Sequence, residues 1–477
     1  MSYKRFGAIL GPILFILIHY FFNGEGLSPQ GRDILAATVW IGVWWVFEVL
    51  PIAVTALLPI VLFPLLGTIP LGDTTASYGH KYVFLYMGGF MLAMAIEKWN
   101  LHKRIALQII KTIGTNMYTI VLGFMVATAF LSMWISNTAT TVMVLPMAIS
   151  IVKQFKDNPD TPEDENKIFS KLLMLSIAYA ASIGGIATLI GTPPNLVFAG
   201  FVQKTYGVDI SFWQWMKFGL PVASILLILA WLYLTRLAYP LRRSRFPGGK
   251  EEINRLLKEL GPLGKEEKMV LFVFVLTAFC WITRSFLLQK IIPNIDDTII
   301  AIGSAILLFI IPANRSGKPL IQWAEAVQIP WGIILLFGGG MAIAKGFQET
   351  GLAGYLGGQM AFFEGLPLFL LLLLVITCVN FLTEVTSNLA TTAMMLPVLA
   401  PLALTLGINP YLLMVACTSA ASCAFMLPVA TPPNAVVFGS GYLRIPDMVR
   451  AGFLMNLISI AIMSLAVFLL LPLLWDF

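Results

Sequence analysis

The stretch "WISNTATTVMVLP", residues 134–146, decides the fold, because it returns at 385–397 as "VTSNLATTAMMLP". Both copies set Ser-Asn inside a long apolar run and follow it with Ala-Thr-Thr and then Leu-Pro. Working outward, "LYMGGFM" (85–91) returns as "LLFGGGM" (335–341), and "IGTPPNLVFAG" (190–200) returns as "VATPPNAVVFGSG" (429–441). Asn137 precedes Asn195 by 58 residues, and Asn388 precedes Asn434 by 46. The 12-residue difference matches a polar insert, "KDNPDTPEDENK" (156–167), which reads as a cytoplasmic loop. Anchors that recur in one order, with one insertion accounting for the spacing, mark an internal duplication.

The 477 residues are 58% hydrophobic and 11% charged, with a mean hydropathy of +0.86. A soluble chain carries about 25% charged residues, so this one belongs in a lipid bilayer. Spans of membrane length are expected near 6–22, 33–48, 51–67 and 82–97, then an amphipathic stretch at 98–113 and a hairpin at 117–152. Further spans follow near 171–202, 213–236, 269–289, 296–312 and 330–347, a second hairpin at 366–405, and spans near 410–440 and 448–475. The first run lacks a small-residue cleavage site and reads as a retained helix. Cys280, Cys378, Cys417 and Cys423 lie in apolar segments without metal-ligand spacing.

The net charge of +6 is a topology signal rather than a nucleic-acid footprint. With the N-terminus inside, segments expected in the cytoplasm hold 23 of the 30 Lys and Arg, nine of them in the loop 236–268. That asymmetry is the positive-inside pattern of a multi-pass protein, here of the inner (cytoplasmic) membrane. Five spans separate the hairpins, an odd number, so the first hairpin enters from the cytoplasm and the second from outside. Inverted repeats with interrupted helices are the architecture of secondary transporters, whose sites lie near the midplane at the repeat interface. A duplicated bundle that carries nothing is the plainer alternative. It is disfavoured because polar interruptions in lipid are costly unless they line a cavity.

The interruptions also suggest chemistry. Ser and Asn cap helix N-termini, so each hairpin tip can present free backbone N–H groups and the positive end of a helix dipole. Two tips facing each other would hold an anion bearing two negative groups without Arg or Lys. In each Thr-Pro-Pro-Asn segment the prolines remove backbone donors, which frees the carbonyls of Leu189 and Ile190, and of Pro428 and Val429. Carbonyl, hydroxyl and amide oxygens suit a hard cation, a rule best attested for calcium and magnesium and extended here to sodium. A simple proline kink is the alternative for either segment alone.

At these residues the chain resembles the divalent anion:sodium symporter family, which carries dicarboxylates, citrate and sulfate. The resemblance spans nearly the whole chain and includes "FEVLPIAVTALLPIVLFPLLG" (47–67), both Ser-Asn hairpins and both Thr-Pro-Pro-Asn breaks. It implies an all-α integral membrane fold of about eleven spans with two re-entrant hairpins, assembled as a homodimer that works as an elevator. The chain would divide into scaffold helices at 1–116, a transport part at 117–236, a cytoplasmic connector at 237–268, scaffold helices at 269–350 and a second transport part at 351–477. Carried over by motif, one sodium (Na+) site would use Ser132, Ser136, Asn137 and the Gly185 carbonyl. The other would use Thr383, the Thr386 carbonyl, Asn388 and the Ala430 carbonyl. Substrate carboxylates would meet Asn137, Thr138, Asn388 and the Pro432 region. The second motif reads Ser-Asn-Leu, so Leu389 removes a hydroxyl from the expected anion site.

The resemblance implies sodium-coupled symport of di- or tricarboxylates of the succinate, malate and fumarate class. A sodium-independent exchanger of the same fold and a sulfate carrier stay open. Glu384 is expected to anchor the second hairpin through backbone N–H groups, and Arg284 and Lys345 to pair within the scaffold. Gly338, Gly339 and Gly340 are expected to permit close helix packing. A cation/proton antiporter would need a carboxylate at the midplane, and no Asp falls inside an expected span core. An intramembrane enzyme has no support: neither H-E-x-x-H nor G-x-S-x-G occurs.

Overall fold

The computed structural model describes residues 3–114, 116–156, 163–241, 249–313, 317–360 and 363–475, and all of its extended elements are helices. The chain begins with α1 (Tyr3–Phe21), α2 (Pro29–Val46), α3 (Ile52–Thr55), α4 (Leu58–Leu65), α5 (Leu71–Ala76), α6 (Lys81–Lys98) and the amphipathic α7 (Leu101–Ile113). The first hairpin is α8 (Met117–Ser132) and α9 (Asn137–Lys156). A broken pair follows, α10 (Glu163–Ile186) and α11 (Pro193–Tyr206), then the long α12 (Phe212–Tyr233). The connector helix α13 (Gly249–Glu259) leads to α14 (Lys265–Thr283), α15 (Gln289–Ile291), α16 (Asp297–Ile310), α17 (Trp323–Ala326) and α18 (Trp331–Glu349). The second repeat closes with α19 (Leu352–Gln359), the hairpin α20 (Leu368–Thr383) and α21 (Asn388–Thr405), the broken pair α22 (Pro410–Ala421) and α23 (Pro432–Phe438), then α24 (Ile445–Leu465) and α25 (Leu471–Trp475).

Among the described residues, eight helices are long and apolar enough to cross a membrane, and five shorter apolar helices accompany them. The short ones include both first hairpin arms. At 16 residues each, α8 and α20 extend about 24 Å, less than the roughly 30 Å hydrocarbon core, so they end inside it. Asn116 opens α8 with a capping box closed by Thr119, and Pro367 precedes α20. The polar insert 156–167 falls largely outside the described residues.

The repeats interlock. Arm α9 packs on α23 of the other repeat, and arm α21 packs on α11, so each hairpin is buttressed by the opposite broken helix. The amphipathic α7 and the short α19 brace α8 and α21 respectively. Glycines let α18 press close to its neighbours: a Cβ on Gly339 would lie 2.5 Å from the Ala56 carbonyl oxygen, and one on Gly338 would meet the Tyr78 ring. Arg284 pairs with Asp297 at 2.6 Å in the interior, and Lys345 pairs with Asp73 at 2.9 Å, the scaffold pairings expected of both cations. The connector docks through Ser150, whose hydroxyl donates to Glu252 at 2.5 Å. Arg255 hydrogen-bonds Glu252 and holds its carboxyl below the usual carboxylate range.

The expected spans 171–202 and 410–440 are each interrupted, and the interruption begins earlier than the prolines alone dictate. Helix α10 stops at Ile186 and α22 at Ala421, while the prolines sit at the first positions of α11 and α23. Proline at a helix start costs nothing and fixes where the second half begins. What ends the first half is a competing set of side-chain bonds, described next.

Candidate functional site

Each hairpin tip is built by its own local sequence. Ser136 caps α9, its hydroxyl accepting from the Ala139 N–H at 3.3 Å. Ser387 occupies the same place before α21 but makes no side-chain cap bond. Its neighbour Thr386 instead shares a 2.6 Å bond with the Thr391 hydroxyl. Thr141 and Thr392 each donate back to the carbonyl of their tip Asn, at 2.8 and 2.9 Å. The two tips are thus copies in backbone and differ in two hydroxyls: Thr386 stands where the first has Ile135, and Leu389 where it has Thr138.

Behind each tip lies a cluster of oxygens. The Ser132 hydroxyl sits 2.6 Å from Asn137 Oδ1 and 2.7 Å from the Ala181 carbonyl. Thr383 repeats the arrangement, 2.7 Å from Asn388 Oδ1 and 3.1 Å from the Ala421 carbonyl. A hydroxyl carries one proton and can serve only one of two acceptors. In the first repeat the network closes when the Asn137 amide presents its nitrogen, not its oxygen, to these oxygens. Turned over, its nitrogen would donate to Gly191 O at 3.2 Å, Ser132 Oγ at 2.6 Å and Ala181 O at 3.2 Å. Converging oxygens of this kind are satisfied by an amide N–H or by a hard cation. Ser132 and Thr383 are both fully buried, where an unserved oxygen is expensive.

The unwound segments are held by the asparagines that close the two Thr-Pro-Pro-Asn motifs. Asn195 donates to the carbonyls of Gly185 at 3.2 Å and Thr188 at 2.8 Å. Asn434 donates to Ala424 at 3.3 Å and Leu427 at 3.0 Å, at the same two spacings. These amides capture the carbonyls that a continuing helix would use. The second segment is longer, and Glu384 holds it. Its carboxylate accepts from the backbone N–H groups of Phe425 (2.8 Å), Met426 (3.0 Å) and Leu427 (3.0 Å), and from Asn456 Nδ2 (2.8 Å). The anchoring role expected of Glu384 is present, but it grips the broken helix rather than the hairpin. The equivalent residue of the first repeat is Met133, whose carbonyl accepts from the Thr188 hydroxyl.

Both tips and both Thr-Pro-Pro segments open into one cavity of about 550 Å³. Ser136, Asn137, Thr138, Thr386, Asn388, Leu389, Ala430 and Pro432 all line it. Thr138 is exposed to it, whereas Leu389, its counterpart, is 5% exposed. Gly185 stands directly against Asn137: a Cβ there would lie 2.6 Å from Oδ1. Its carbonyl is the one engaged by Asn195, and the carbonyls facing the tip amide are those of Ala181 and Gly191. In the second repeat the carbonyl nearest Thr383 is Ala421, and Ala430 lies on the cavity wall.

The opposite wall was not foreseen from the motifs. It comes from Val46, Glu48, Ile52 and Ala53 around the α2–α3 junction and from Pro330, Gly332, Ile333 and Leu336 at the start of α18. The chain crosses alternately, so the end of α2, the start of α3 and the start of α18 lie on the same side as the N-terminus. The cavity therefore opens on that side. A signal did exist, because Leu336 belongs to the repeated "LLFGGGM", and 47–67 carried part of the resemblance.

Two oppositely oriented hairpins that meet a shared cavity, each backed by an oxygen cluster and a broken helix, define a secondary transporter of the inverted-repeat class rather than an enzyme. The fold is that of known membrane transporters. Neisseria gonorrhoeae MtrF, described as representing a class of antimetabolite efflux pumps, superposes with a TM-score of 0.58 at 15% identity, covering 98% of this chain and 96% of that one. The Alcanivorax borkumensis YdaH transporter gives 0.58 at 13% identity, covering 90% and 97%. The chain belongs to the sodium:sulfate symporter family, whose transmembrane region matches residues 4–475. It is similar to the sodium-dependent dicarboxylate transporter SdcS of Staphylococcus saprophyticus, with 45% identity over 98% of this chain and 91% of that protein. The Staphylococcus aureus (strain USA300) protein of the same name is 46% identical over the same shares.

Proposed function

We propose that this chain is a sodium-driven symporter of C4-dicarboxylates of the succinate, malate and fumarate class. The observation that carries the reading is the pair of matching oxygen clusters behind the two tips, each joining a hydroxyl, the tip amide and a main-chain carbonyl. A monovalent cation held by the oxygens of each would bring positive charge beside the tips, and two such charges balance one dianion. The first cluster draws on Ser132, Ser136, Asn137 and Gly185 together with the Ala181 and Gly191 carbonyls. The second draws on Thr383, Thr386, Asn388 and Ala430 with the Ala421 carbonyl. Sodium is cargo in this scheme, and its binding prepares the tips for the anion.

The anion meets helix N-termini, amides and hydroxyls instead of fixed cations, which lets it leave as readily as it arrives. Asn137 and Thr138 grip one carboxylate; Asn388, with the Pro432 backbone, faces the other. Leu389 offers only apolar contact there. The uncapped hydroxyl of Ser387, which also lines the cavity, supplies the donor that Leu389 lacks. Similarity to sodium-dependent dicarboxylate transporters across 98% of the chain supports the same substrate class. Homodimeric assembly in the inner membrane, with the hairpins and broken helices moving against the scaffold, completes the proposal.

The test is uptake by the purified protein in proteoliposomes, offered labelled succinate, citrate or sulfate with an inward gradient of sodium or of potassium. Succinate should accumulate above equilibrium only with sodium. Accumulation that ignores sodium but requires preloaded succinate would replace symport by exchange. Sulfate accumulation without succinate uptake would overturn the substrate class.

A further inference from the structure

Glu48 is the one charged residue among the described residues lining the cavity, and it is an acid in a site built for an anion. Its carboxylate has no hydrogen-bond or ion-pair partner among the described residues, and the residue is exposed to the cavity. Its backbone is left-handed, with φ at +44°, a conformation that only one other non-glycine described residue, Asn100, adopts. The reason is visible at the end of α2. The Glu48 N–H donates to the Trp45 carbonyl at 3.4 Å and the Val49 N–H donates to the Trp44 carbonyl at 3.2 Å. That is the paired closure of a Schellman motif, in which Glu48 occupies the position normally given to glycine, or sometimes asparagine. Chain geometry alone favours glycine there. A carboxylate standing at that position, on the wall of the cavity, points to a use for the charge.

Resting on the proposed dicarboxylate function, we infer that Glu48 is a specificity-determining residue that sets the valence of the accepted anion. A fixed negative charge on the far wall acts on every negative charge that the tips hold. Two sodium charges offset a dianion, whereas a third carboxylate would be left facing Glu48 without compensation. Across a wet cavity of this size, one unit charge changes the occupancy of each further unit charge by about fivefold. The residue thus discriminates against trivalent anions by charge, while the tips and Leu389 select by shape. A glycine at 48 would be the better helix terminator and the poorer filter.

The experiment is equilibrium competition on the purified full chain in detergent with sodium, so that both faces are accessible. Succinate is the labelled probe, and unlabelled succinate or tricarballylate, its trivalent analogue, is the competitor. Glu48→Gln keeps the backbone conformation and removes the charge; Glu48→Gly removes the charge and relieves the backbone; Glu48→Asp keeps the charge. The tricarballylate-to-succinate affinity ratio should rise about fivefold in Gln and Gly and stay at the wild-type value in Asp. A high concentration of choline chloride should narrow the difference by screening. A Gln variant within twofold of wild type would overturn the inference, as would a shift seen in Gly alone, which would assign Glu48 to helix termination. Wild-type protein that binds no succinate with sodium would instead sink the proposed function and leave those two outcomes distinct.

Discussion

Gly452→Ala tests whether the broken helix of the second repeat sets sodium affinity. Gly452 lies on α24, directly behind the unwound segment. A Cβ there would lie 2.2 Å from the Phe425 carbonyl oxygen, 2.4 Å from Met426 Cα and 2.4 Å from the Phe425 carbonyl carbon. All three are backbone atoms, so no side chain can swing aside. Restoring ordinary contact moves the segment by about 1 Å, an overpacking that costs roughly 1–3 kcal/mol. The same segment is pinned from the other side by Glu384, at 2.8 and 3.0 Å from the Phe425 and Met426 N–H groups. The shift stretches or breaks these bonds, each worth about 1.5–3 kcal/mol because the acceptor is charged. Glu384 adjoins Thr383, so the loss falls on the cluster of Thr383, Asn388 and the Ala421 carbonyl. At about 1.4 kcal/mol per factor of ten, sodium half-saturation should rise at least about tenfold. The assay is initial-rate succinate uptake in proteoliposomes against sodium concentration, with a melting curve to show that the variant is folded. Gly303→Ala, where an added Cβ meets nothing within 4 Å, is the control. A folded Gly452→Ala protein with a wild-type sodium curve would refute the reasoning.

Three further substitutions probe the same chemistry. Ser132→Ala removes one oxygen from the first cluster and should raise sodium half-saturation about tenfold while changing maximal rate less, with Thr383→Ala doing the same in the second; an unchanged sodium curve in both would point to exchange without sodium. Glu384→Gln turns an acceptor of four N–H bonds into an amide that must aim one NH₂ at donors, and should destabilise the protein by about 2–4 kcal/mol, read as a lowered Tm in detergent. A melting temperature equal to wild type would show that the segment is held by other contacts.

The sequence was enough for the membrane class, for the inverted duplication and for the tips. All three rest on local or periodic properties: apolar run length, the recurrence of "SN" with "TPPN", and the helix-capping tendency of Ser and Asn. The polar insert explained the spacing between anchors without any coordinates. Hydrophobic runs were less informative about where the crossing helices break. Proline fixes the start of α11 and α23 by local sterics, but the ends of α10 and α22 depend on Asn195, Asn434 and Glu384 reaching carbonyls and N–H groups 7 to 43 residues away.

Tertiary structure alone decided which carbonyls face each tip amide and what closes the cavity. Ala181, Gly191 and Ala421 carry no side-chain signature of that role, because a backbone oxygen is common to every residue and only the packing of the chain decides which ones meet the tip. The far wall belongs to α2, α3 and α18, whose inner ends meet the tips through the packing of separate units. Glu48 shows the difference most clearly. In the sequence it is one acid near a span end, whereas folding gives it a left-handed backbone and sets its charge opposite the tips that are proposed to hold the anion.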